Sequence, residues 1–505
     1  MSSEPASSDD QSQQVNLNYR AIILRAAVLL MAAALIISLW QLGCTESKPY
    51  KPSASAPEPS FTKTEPEPAP TATSQEGFTL FLSGNWGGQL GPCGCSDRQL
   101  GGIDRRTHIL NAVPDHSRLL IDAGPLIKKE GRQAQLKLET FIHSLQHLHY
   151  DALALTWPEI ILLQLYLAMD PAVRPPVIAT NLPQTVRRKY AAVPYLEKTL
   201  RRGENTLDCL ILAIIDPQSM IGRWDAPQQQ LPDPVESLIK TLNDDLNIDP
   251  RQPSLDKLVI VLLPNDSEPL LRQLSQITAL DLLVKVGYGD LPELIESSDN
   301  NPVVVTTGSL GKFITQIDLP ANTPADLTKA QFKPVPVEEN YPRDPRIVGF
   351  FNDYQKNLEI ENLIDNLPRL PLLDDNIFTG SKACADCHQD IYLIWESFGH
   401  AHAMETLVNE NRQFDPECVK CHTVGMEYEI GYRSLESTPQ LATVGCEICH
   451  GPGLKHRVNT LTMYQEQFYT CEKCHTTENS PHFLEERQEY FEKIKHWIEP
   501  RIYWK

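Results

Sequence analysis

Four copies of the pattern Cys-x-x-Cys-His lie in the last quarter of the chain and limit its fold more than any other feature. The motifs are Cys384-Ala-Asp-Cys387-His388, Cys418-Val-Lys-Cys421-His422, Cys446-Glu-Ile-Cys449-His450 and Cys471-Glu-Lys-Cys474-His475. Two thiols three positions apart can each form a thioether with a haem vinyl group, and the next residue places an imidazole on the iron. The pattern therefore predicts four covalently attached c-type haems. Their proximal iron ligands are then His388, His422, His450 and His475.

Zinc binding is the alternative, because cysteine pairs at this spacing are also zinc ligands. Histidine makes up 14 of 505 residues. Its presence directly after all four pairs is, by composition alone, on the order of one in a million. The composition therefore favours haem over zinc. Twelve cysteines in 505 residues are also too few for a disulfide scaffold.

Each haem iron has a second axial position, which a histidine outside the motifs can fill. The remaining histidines of this region are His400, His402, His456, His482 and His496. They suffice for bis-histidine ligation of most or all of the haems. Methionine ligation would raise the reduction potential, but nothing in the sequence requires it.

The same region resembles the tetrahaem cytochrome c-554 type domain over about 110 residues. The matching sequence segments are Trp395 with His400-Ala401-His402-Ala403, Asp415-Pro416-Glu417-Cys418 through Gly425, and Val444-Gly445-Cys446 through Gly453 with His456. In that family, histidines outside the motifs serve as distal ligands. The resemblance implies this role for His400 and His456, with His402 and His482 as further candidates. It also implies a compact, mostly helical haem cluster that transfers electrons.

Residues 78–320 alternate short apolar runs with helix-like segments, which predicts a layered α/β domain. Strands are predicted at 79–82, 119–122, 177–179, 258–263, 282–286 and 303–306, and helices at 141–148 and 269–277. Residues 321–380, rich in proline, are interpreted as a connector with one helix over 346–364. Residues 381–505 form the predicted tetrahaem domain, which ends in an amphipathic helix over 483–498.

The middle region resembles the metal-binding half of the 5′-nucleotidase type metallophosphatases. The matching sequence segments are Gly101-Gly102-Ile103-Asp104-Arg105-Arg106, Leu120-Ile121-Asp122-Ala123-Gly124, Tyr150-Asp151-Ala152-Leu153, Ala179-Thr180-Asn181-Leu182 and Gly308-Ser309-Leu310-Gly311-Lys312. At the family's metal-ligand positions this chain has Asn85-Trp86-Gly87, Pro125, Trp157-Pro158, Pro264-Asn265 and Tyr288-Gly289. A two-metal mechanism needs oxygen and imidazole ligands, and Gly, Pro and Trp side chains supply neither. We therefore expect a domain without hydrolytic activity.

Two cysteines stand near the vacated ligand positions, in Pro92-Cys93-Gly94-Cys95. They can bind a soft metal or form a redox pair, and one of them can form a disulfide with Cys209. The alternative is two free or structurally paired thiols in a glycine-rich loop. His143 and His147, four residues apart, can share one helix face, which an amphipathic helix explains equally well.

The amino terminus predicts export and anchoring. Arg20 and Arg25 precede the apolar run 26–43, and positive charge before such a run keeps the amino end in the cytoplasm. Gly43-Cys44 resembles the end of a bacterial lipobox, which makes Cys44 a candidate for lipidation; an uncleaved signal anchor is the alternative. Residues 1–44 are thus a signal anchor or lipoprotein signal. Residues 45–77, rich in proline, are a linker.

The fold class is therefore multidomain, with an amino-terminal membrane anchor, a metallophosphatase-like α/β domain and a mostly α multihaem cytochrome domain. We expect an electron carrier on the periplasmic side of a bacterial membrane, served by redox partner proteins or quinone-linked donors. A redox enzyme acting on a small nitrogen or sulfur compound is the alternative, and a metal-dependent phosphohydrolase is a third. A formal charge of −20 argues against nucleic-acid binding, which needs a concentrated basic surface.

Overall fold

The structure is a computed structural model that describes residues 77–93, 99–216, 232–254, 256–287, 289–295, 302–322, 326–371, 376–461, 471–480 and 482–496. All of these residues belong to one compact unit. Within these ranges no helix is long and apolar enough to cross a membrane. The predicted anchor over 1–44, with Cys44, and all of the linker except its last residue lie outside them.

The described residues form fourteen β-strands. They are β1 (Gly77–Ser83), β2 (Pro92–Cys93), β3 (Leu100–Gly101), β4 (Arg118–Asp122), β5 (Ala152–Ala154), β6 (Val177–Ile178), β7 (Tyr195–Arg202), β8 (Asn205–Ala213), β9 (Leu258–Leu263), β10 (Leu282–Lys285), β11 (Leu294–Ile295), β12 (Val303–Thr306), β13 (Phe313–Pro320) and β14 (Gln331–Pro336).

The same residues form fifteen α-helices. They are α1 (Arg106–Leu110), α2 (Arg132–His147), α3 (Trp157–Ile161), α4 (Gln164–Ala168), α5 (Gln184–Lys189), α6 (Pro234–Lys240), α7 (Glu268–Leu274), α8 (Pro345–Ile360), α9 (Leu363–Asn366), α10 (Ser381–Glu396), α11 (Ala403–Asn409), α12 (Pro416–His422), α13 (Cys446–His450), α14 (Leu454–Val458) and α15 (Arg487–Lys493).

The central domain contains two six-stranded sheets. The first sheet has the order β14-β13-β1-β4-β5-β6, with parallel pairing from β1 to β6 and antiparallel pairing of β13 with both neighbours. The second has the order β11-β12-β10-β9-β8-β7, parallel except at its two edges. Mixed sheets with antiparallel edge strands are common among layered α/β folds.

The two sheets pack face to face, because their strands are apolar on both sides. Leu80 and Ile121 of the first sheet share one buried cluster with Ile211 and Leu262 of the second. The other face of the first sheet is covered by α2 and α8, and the other face of the second by α6 and α7. The result is a four-layer arrangement in which a strand buried on both faces can consist almost entirely of apolar residues.

The region interpreted as a connector contributes to the central domain. β14 forms an edge of the first sheet, where Pro334 and Pro336 are tolerated because an edge strand leaves one row of backbone groups unpaired. α8 packs on α2. The predicted single helix over 346–364 is two helices, because Asn362 between them adopts a left-handed conformation with φ of 47°.

The carboxy-terminal region is built from short helices around a small core that includes Phe378, Met404, Val419, Tyr432 and Leu441. The predicted terminal helix over 483–498 is shorter than expected, since the structure has a helix only over Arg487–Lys493. Residues 497–505 lie outside the described ranges.

Candidate haem centre

The four motifs occupy short helical segments that position them in different ways. The first lies within α10, whose backbone is kinked at His388. The second forms α12, where Asp415 caps the helix by accepting a hydrogen bond from the Glu417 amide at 3.0 Å and Pro416 fills the first turn. The third forms α13, and the fourth begins with the 3-10 turn Cys471–Lys473. None of the eight motif cysteines forms a disulfide.

Thiol contacts bring the motifs together in two pairs. The side chain of Cys384 in the first motif hydrogen-bonds that of Cys446 in the third. The side chain of Cys421 in the second motif does the same with Cys474 in the fourth. Each of these two contacts therefore joins motifs that are not consecutive in sequence.

Three motif histidines each face a histidine from outside the motifs. The ring centroids of His388 and His456 are 6.4 Å apart, those of His400 and His475 are 6.2 Å apart, and those of His450 and His496 are 6.1 Å apart. The angles between the ring planes are 18°, 55° and 86°, respectively. The three pairs thus share one separation but differ in orientation.

This separation fits one iron between the two rings. Two imidazoles on opposite sides of a metal would have centroids about 6 Å apart, because each metal–nitrogen bond is about 2 Å long and each centroid lies about 1 Å behind its nitrogen. Packed aromatic rings also have centroids about 4.5–7 Å apart, so the haem assignment rests on this separation together with the motif histidine present in every pair. The residues present therefore fit haem with two axial imidazoles at three of the four motifs.

Hydrogen bonds fix which nitrogen of several rings is free. Nδ1 of His422 donates to the Ala403 carbonyl oxygen at 2.5 Å, and Nδ1 of His496 donates to the Ile494 carbonyl oxygen at 2.8 Å. Nδ1 of His475 lies 3.0 Å from Oγ of Ser480. A carbonyl oxygen can only accept, so Nδ1 of His422 and of His496 carries a proton, and in the neutral ring Nε2 is then the nitrogen that can bind a metal.

Burial favours the neutral form of four imidazoles in this region. It lowers the pKa of His400, His422, His450 and His475, and neighbouring histidines lower the pKa of His400 and His450 further. Neutral imidazole is the form that binds a metal ion.

The sequence-predicted distal candidates separate into two groups. His400 and His456 each face a motif histidine. His402 is half-exposed, and its ring contacts the Glu396 carbonyl oxygen at 3.0 Å and Glu405 at 3.2 Å. His482 lies in an exposed turn. Sequence reasoning did not single out His496, whose only signal was that it is one of the five histidines left over from the motifs.

A buried carboxylate holds the third motif in place. Glu447, inside that motif, accepts hydrogen bonds from the backbone amides of Thr379, Gly380 and Gly453 at 2.7–3.0 Å. These amides belong to the segment before α10 and to the turn after α13. Glu447 therefore ties the first and third motifs to one another.

In the central domain, Asp122 at the end of β4 is the centre of a buried network. Asp122 accepts hydrogen bonds from Ser83 Oγ at 2.8 Å, Trp86 Nε1 at 2.7 Å and the Gly124 amide at 2.9 Å. Arg106 lies 4.0 Å above the Trp86 ring. Burial raises the pKa of Asp122 despite these hydrogen bonds. Protein donors thus take up the oxygens of this carboxylate.

Other residues predicted to stand at the family's metal-ligand positions make structural contacts. Nδ2 of Asn85 donates to the Gly287 carbonyl oxygen at 2.6 Å. Trp157 is buried against Tyr190 with ring centroids 5.8 Å apart. Asn265 follows β9, and Tyr288 lies outside the described residues. Among the described residues, no group of three or more His, Cys, Asp or Glu side chains is arranged to hold a metal ion.

The other candidate residues, which are cysteines and histidines, belong to the central region. Cys93 ends β2, and Cys95 lies outside the described residues, so the proposed metal or redox pair is not described. A disulfide to Cys209 is contradicted, because Cys209 is a free thiol buried between the sheets, where burial raises its pKa to about 12. His147 lies 3.0 Å from Asp344, and His143 lies against Phe350, so both face α8.

Comparison with known proteins identifies the class of the carboxy-terminal region as a cytochrome. Residues 383–451 match the family described as cytochrome c554 and c-prime. Cytochrome c-554 of Nitrosomonas europaea is 36% identical over an alignment of 101 residues, and the match covers 17% of this chain and 43% of that protein. The chain therefore spans less than half of this relative. The predicted resemblance is confirmed, and the chain carries a cytochrome c554 domain at its carboxy-terminal end.

Solved structures of two nucleotidases are similar to part of the chain. The 5′-nucleotidase precursor from Thermus thermophilus is 15% identical, covers 66% of this chain and 68% of that chain, and has a TM-score of 0.45. NAD nucleotidase from Haemophilus influenzae is 12% identical with the same coverage and a TM-score of 0.43. Both similarities concern the fold alone.

Proposed function

We propose that the protein is an extracytoplasmic tetrahaem c-type cytochrome that transfers electrons. The eight motif cysteines would hold four haems, and His388, His422, His450 and His475 would be their proximal ligands. His456, His400 and His496 would be the distal ligands opposite His388, His475 and His450. Haem supplies a reversible one-electron site whose potential depends on its axial ligands and surroundings.

The observation that carries the proposal is the common separation of 6.1–6.4 Å in three histidine pairs. Each pair joins one motif histidine to one histidine from elsewhere in the region. Two imidazoles on an iron leave no position for a substrate, which suits electron transfer rather than catalysis. The chain's own residues thus orient the axial ligands and shield the metal.

The mass of the exported protein tests the number of haems. Expression in a host that matures c-type cytochromes should add the mass of four haems to each chain. As a matched control, replacing Cys471 and Cys474 by Ser should lower the added mass to three haems. A wild-type chain that carries fewer than four would contradict the proposal.

We also propose a cellular location and redox partners for the protein. Covalent haem attachment takes place outside the cytoplasm, in agreement with the amino-terminal signal predicted from Arg20, Arg25 and the apolar run that follows. We therefore place the chain on the periplasmic side of a bacterial membrane, held by its amino-terminal segment, with redox proteins or quinone-linked donors as partners. Fractionation followed by haem staining should recover it with the membranes, and recovery in the soluble periplasm would contradict anchoring.

One observation favours a second candidate function. His422 differs from the other motif histidines, since no imidazole of the described residues forms a ring pair with it. A haem with one open axial position can bind and convert a small molecule. The alternative function is therefore a redox enzyme acting on a small nitrogen or sulfur compound at the second motif.

Ligand binding distinguishes the two candidates. The reduced protein should be titrated with carbon monoxide while the haem absorption bands are followed. Binding at one haem of four, abolished when Cys418 and Cys421 are replaced by Ser, would support the enzyme. An unchanged spectrum would support the carrier alone.

We also propose that the central domain does not hydrolyse phosphoesters. Trp86, Pro125 and Trp157 stand where the resembling family has metal ligands, and Trp86 takes up an oxygen of Asp122. The full-length protein, assayed with manganese or zinc on nucleotide and bis-phosphoester substrates, should show no turnover above a metal-free control. Clear metal-dependent hydrolysis would contradict this part of the proposal.

A further inference from the structure

The central domain and the cytochrome domain meet at the helix that carries the second motif. Nε2 of Gln133 on α2 donates to Oδ1 of Asp415 at 2.7 Å, and the Tyr354 hydroxyl on α8 donates to Oδ2 of the same residue at 3.2 Å. Asp415 is the residue that caps α12. Two helices of the central domain therefore hold the start of a haem-attachment helix.

A buried lysine extends this contact toward the second motif. Nζ of Lys137 on α2 forms an ion pair with Glu417, the residue before Cys418, and only 9% of the Lys137 side chain is exposed. Lys129 also pairs with Glu417, at 2.9 Å, but 70% of its side chain is exposed. The two lysines thus contact the same carboxylate from very different surroundings.

Both members of the buried pair carry charge at neutral pH. Burial lowers the pKa of Lys137, but the carboxylates of Asp415 and Glu417 outweigh it and raise the pKa overall. Burial raises the pKa of Glu417, but Lys137 and Lys129 outweigh it and lower the pKa overall. A charge with little access to water acts on its neighbours far more strongly than an exposed one.

We propose that the central domain sets the reduction potential of the haem held by Cys418, Cys421 and His422, with Lys137 raising that potential and Glu417 lowering it. This inference rests on the proposed haem function of the second motif. Reduction adds one electron and lowers the charge at the iron by one. A nearby cation therefore favours the reduced form, and a nearby carboxylate favours the oxidised form. The domain with a phosphatase fold thus acts as an electrostatic regulator of electron transfer.

Redox titration of full-length variants tests the inference. Lys137→Met keeps the aliphatic stem but removes the charge, Glu417→Gln removes the opposing charge, and Lys129→Met is the matched control. Spectroelectrochemical titration at pH 8, above the ordinary pKa of a carboxyl group, should show one of four potentials lowered by Lys137→Met and one raised by Glu417→Gln. We expect about a tenfold change in the reduction equilibrium, equal to about 59 mV for one electron.

The control variants separate the effect of charge on the reduction potential from the effect of lost packing at the contact. Lys129→Met should change the equilibrium by less than about twofold because its charge is exposed, and Lys137→Arg should restore the wild-type potential. Loss of packing alone would shift the potential in the same direction in both main variants.

Three results would overturn the inference. They are shifts of one sign in both main variants, unchanged potentials in a protein with four haems, and an Arg variant that behaves like the Met variant. The second result leaves the proposed function intact. A wild-type chain that carries no haem would overturn both.

Discussion

At the scale of single residues, the three histidine pairs differ in the angle between their rings while keeping one separation. The pair of His388 and His456 is nearly parallel, and the pair of His450 and His496 is nearly perpendicular. Hydrogen bonds to Nδ1 are one cause, since the Ile494 carbonyl fixes the ring of His496. Ring orientation is thus a property of each site's local hydrogen bonding.

Replacing a distal candidate should open one axial position. His400→Ala, His456→Ala and His496→Ala are each expected to convert one haem partly to high spin without removing it, because the thioethers remain. Low-temperature electron paramagnetic resonance and the mass of the protein measure both quantities.

His402→Ala is the matched control and should leave the spectrum unchanged, since His402 is half-exposed and contacts Glu396 and Glu405. Fully low-spin spectra in the three distal variants would show that other residues are the ligands.

The buried network at Asp122 leads to a stability prediction. Asp122→Ala removes the acceptor for Ser83, Trp86 and the Gly124 amide. Leaving buried donors unsatisfied should lower the free energy of unfolding by about 3 kcal/mol. Denaturant titration measures this change, with the exposed Glu204→Ala as the control. A loss no larger than that of the control would show that water replaces the carboxylate.

At the scale of secondary-structure elements, the third motif depends on a single side chain. Glu447 is fully buried and accepts hydrogen bonds from backbone amides in the segment before α10 and in the turn after α13. Glu447→Gln retains the shape but weakens charge-assisted bonds, so the free energy of unfolding should fall by about 3 kcal/mol. Thermal or denaturant unfolding of the holoprotein measures it. The exposed Glu436→Gln should change it by less than about 0.5 kcal/mol, and equal effects would refute the anchoring role.

The start of α8 should make stability fall in acid. Burial raises the pKa of Asp344, but hydrogen bonds from His147, Thr107 and the Arg346 amide outweigh it, so the pKa lies below its ordinary value. The unfolded chain then binds this proton more readily than the folded one. The stabilisation is therefore complete above a pH of about 4 and is lost as the pH falls through the folded pKa.

Acid titration of Asp344→Asn tests this dependence. The difference in unfolding free energy between wild type and variant should be constant at neutral pH and shrink below a pH of about 4. Arg132 and Glu361, an exposed pair that joins α2 to the turn after α8, provide a comparison through Glu361→Gln. A difference that does not change with pH would show that Asp344 acts through shape alone.

The sequence alone was sufficient to predict the secondary-structure elements that have a strong local pattern of apolar residues. The apolar strands β1, β4, β9, β10 and β12 lie where they were predicted, because strands buried on both faces consist of apolar residues. The helix α2 begins at Arg132, nine residues before the predicted start at residue 141. The β7–β8 hairpin was missed, since β7 alternates charged residues on its exposed edge. β14 was missed because its prolines are typical of loops, and only the pairing with β13 makes it a strand.

The candidate site was predictable where spacing fixes chemistry. The four motifs determine eight cysteines and four histidines without any structure. Which outlying histidine faces which motif depends on tertiary packing, and His496 faces His450 from 46 positions away. The contact of Lys137 with Glu417 could not be predicted from the sequence either, because it forms only when both domains are folded.

At the scale of the whole molecule, the first sheet joins distant parts of the chain. β1 pairs with β13, which lies more than 200 residues further along the chain. A chain ending at residue 312 lacks β13 and β14 and should be degraded rapidly by protease, whereas one ending at residue 371 should resist. Limited proteolysis measures the difference, and equal resistance would show that the sheet is stable without these strands.

This long-range pairing has a consequence for biogenesis. The sheet cannot close until the chain has emerged as far as Pro336, and fewer than fifty residues then separate that point from Cys384. Pairing across such a distance is slow because the intervening chain has to be ordered first. Under the proposed export and haem attachment, closure of the central domain and attachment of the first haem would therefore fall within the same short interval, and the maturation machinery would meet its first motif beside a domain that is still folding.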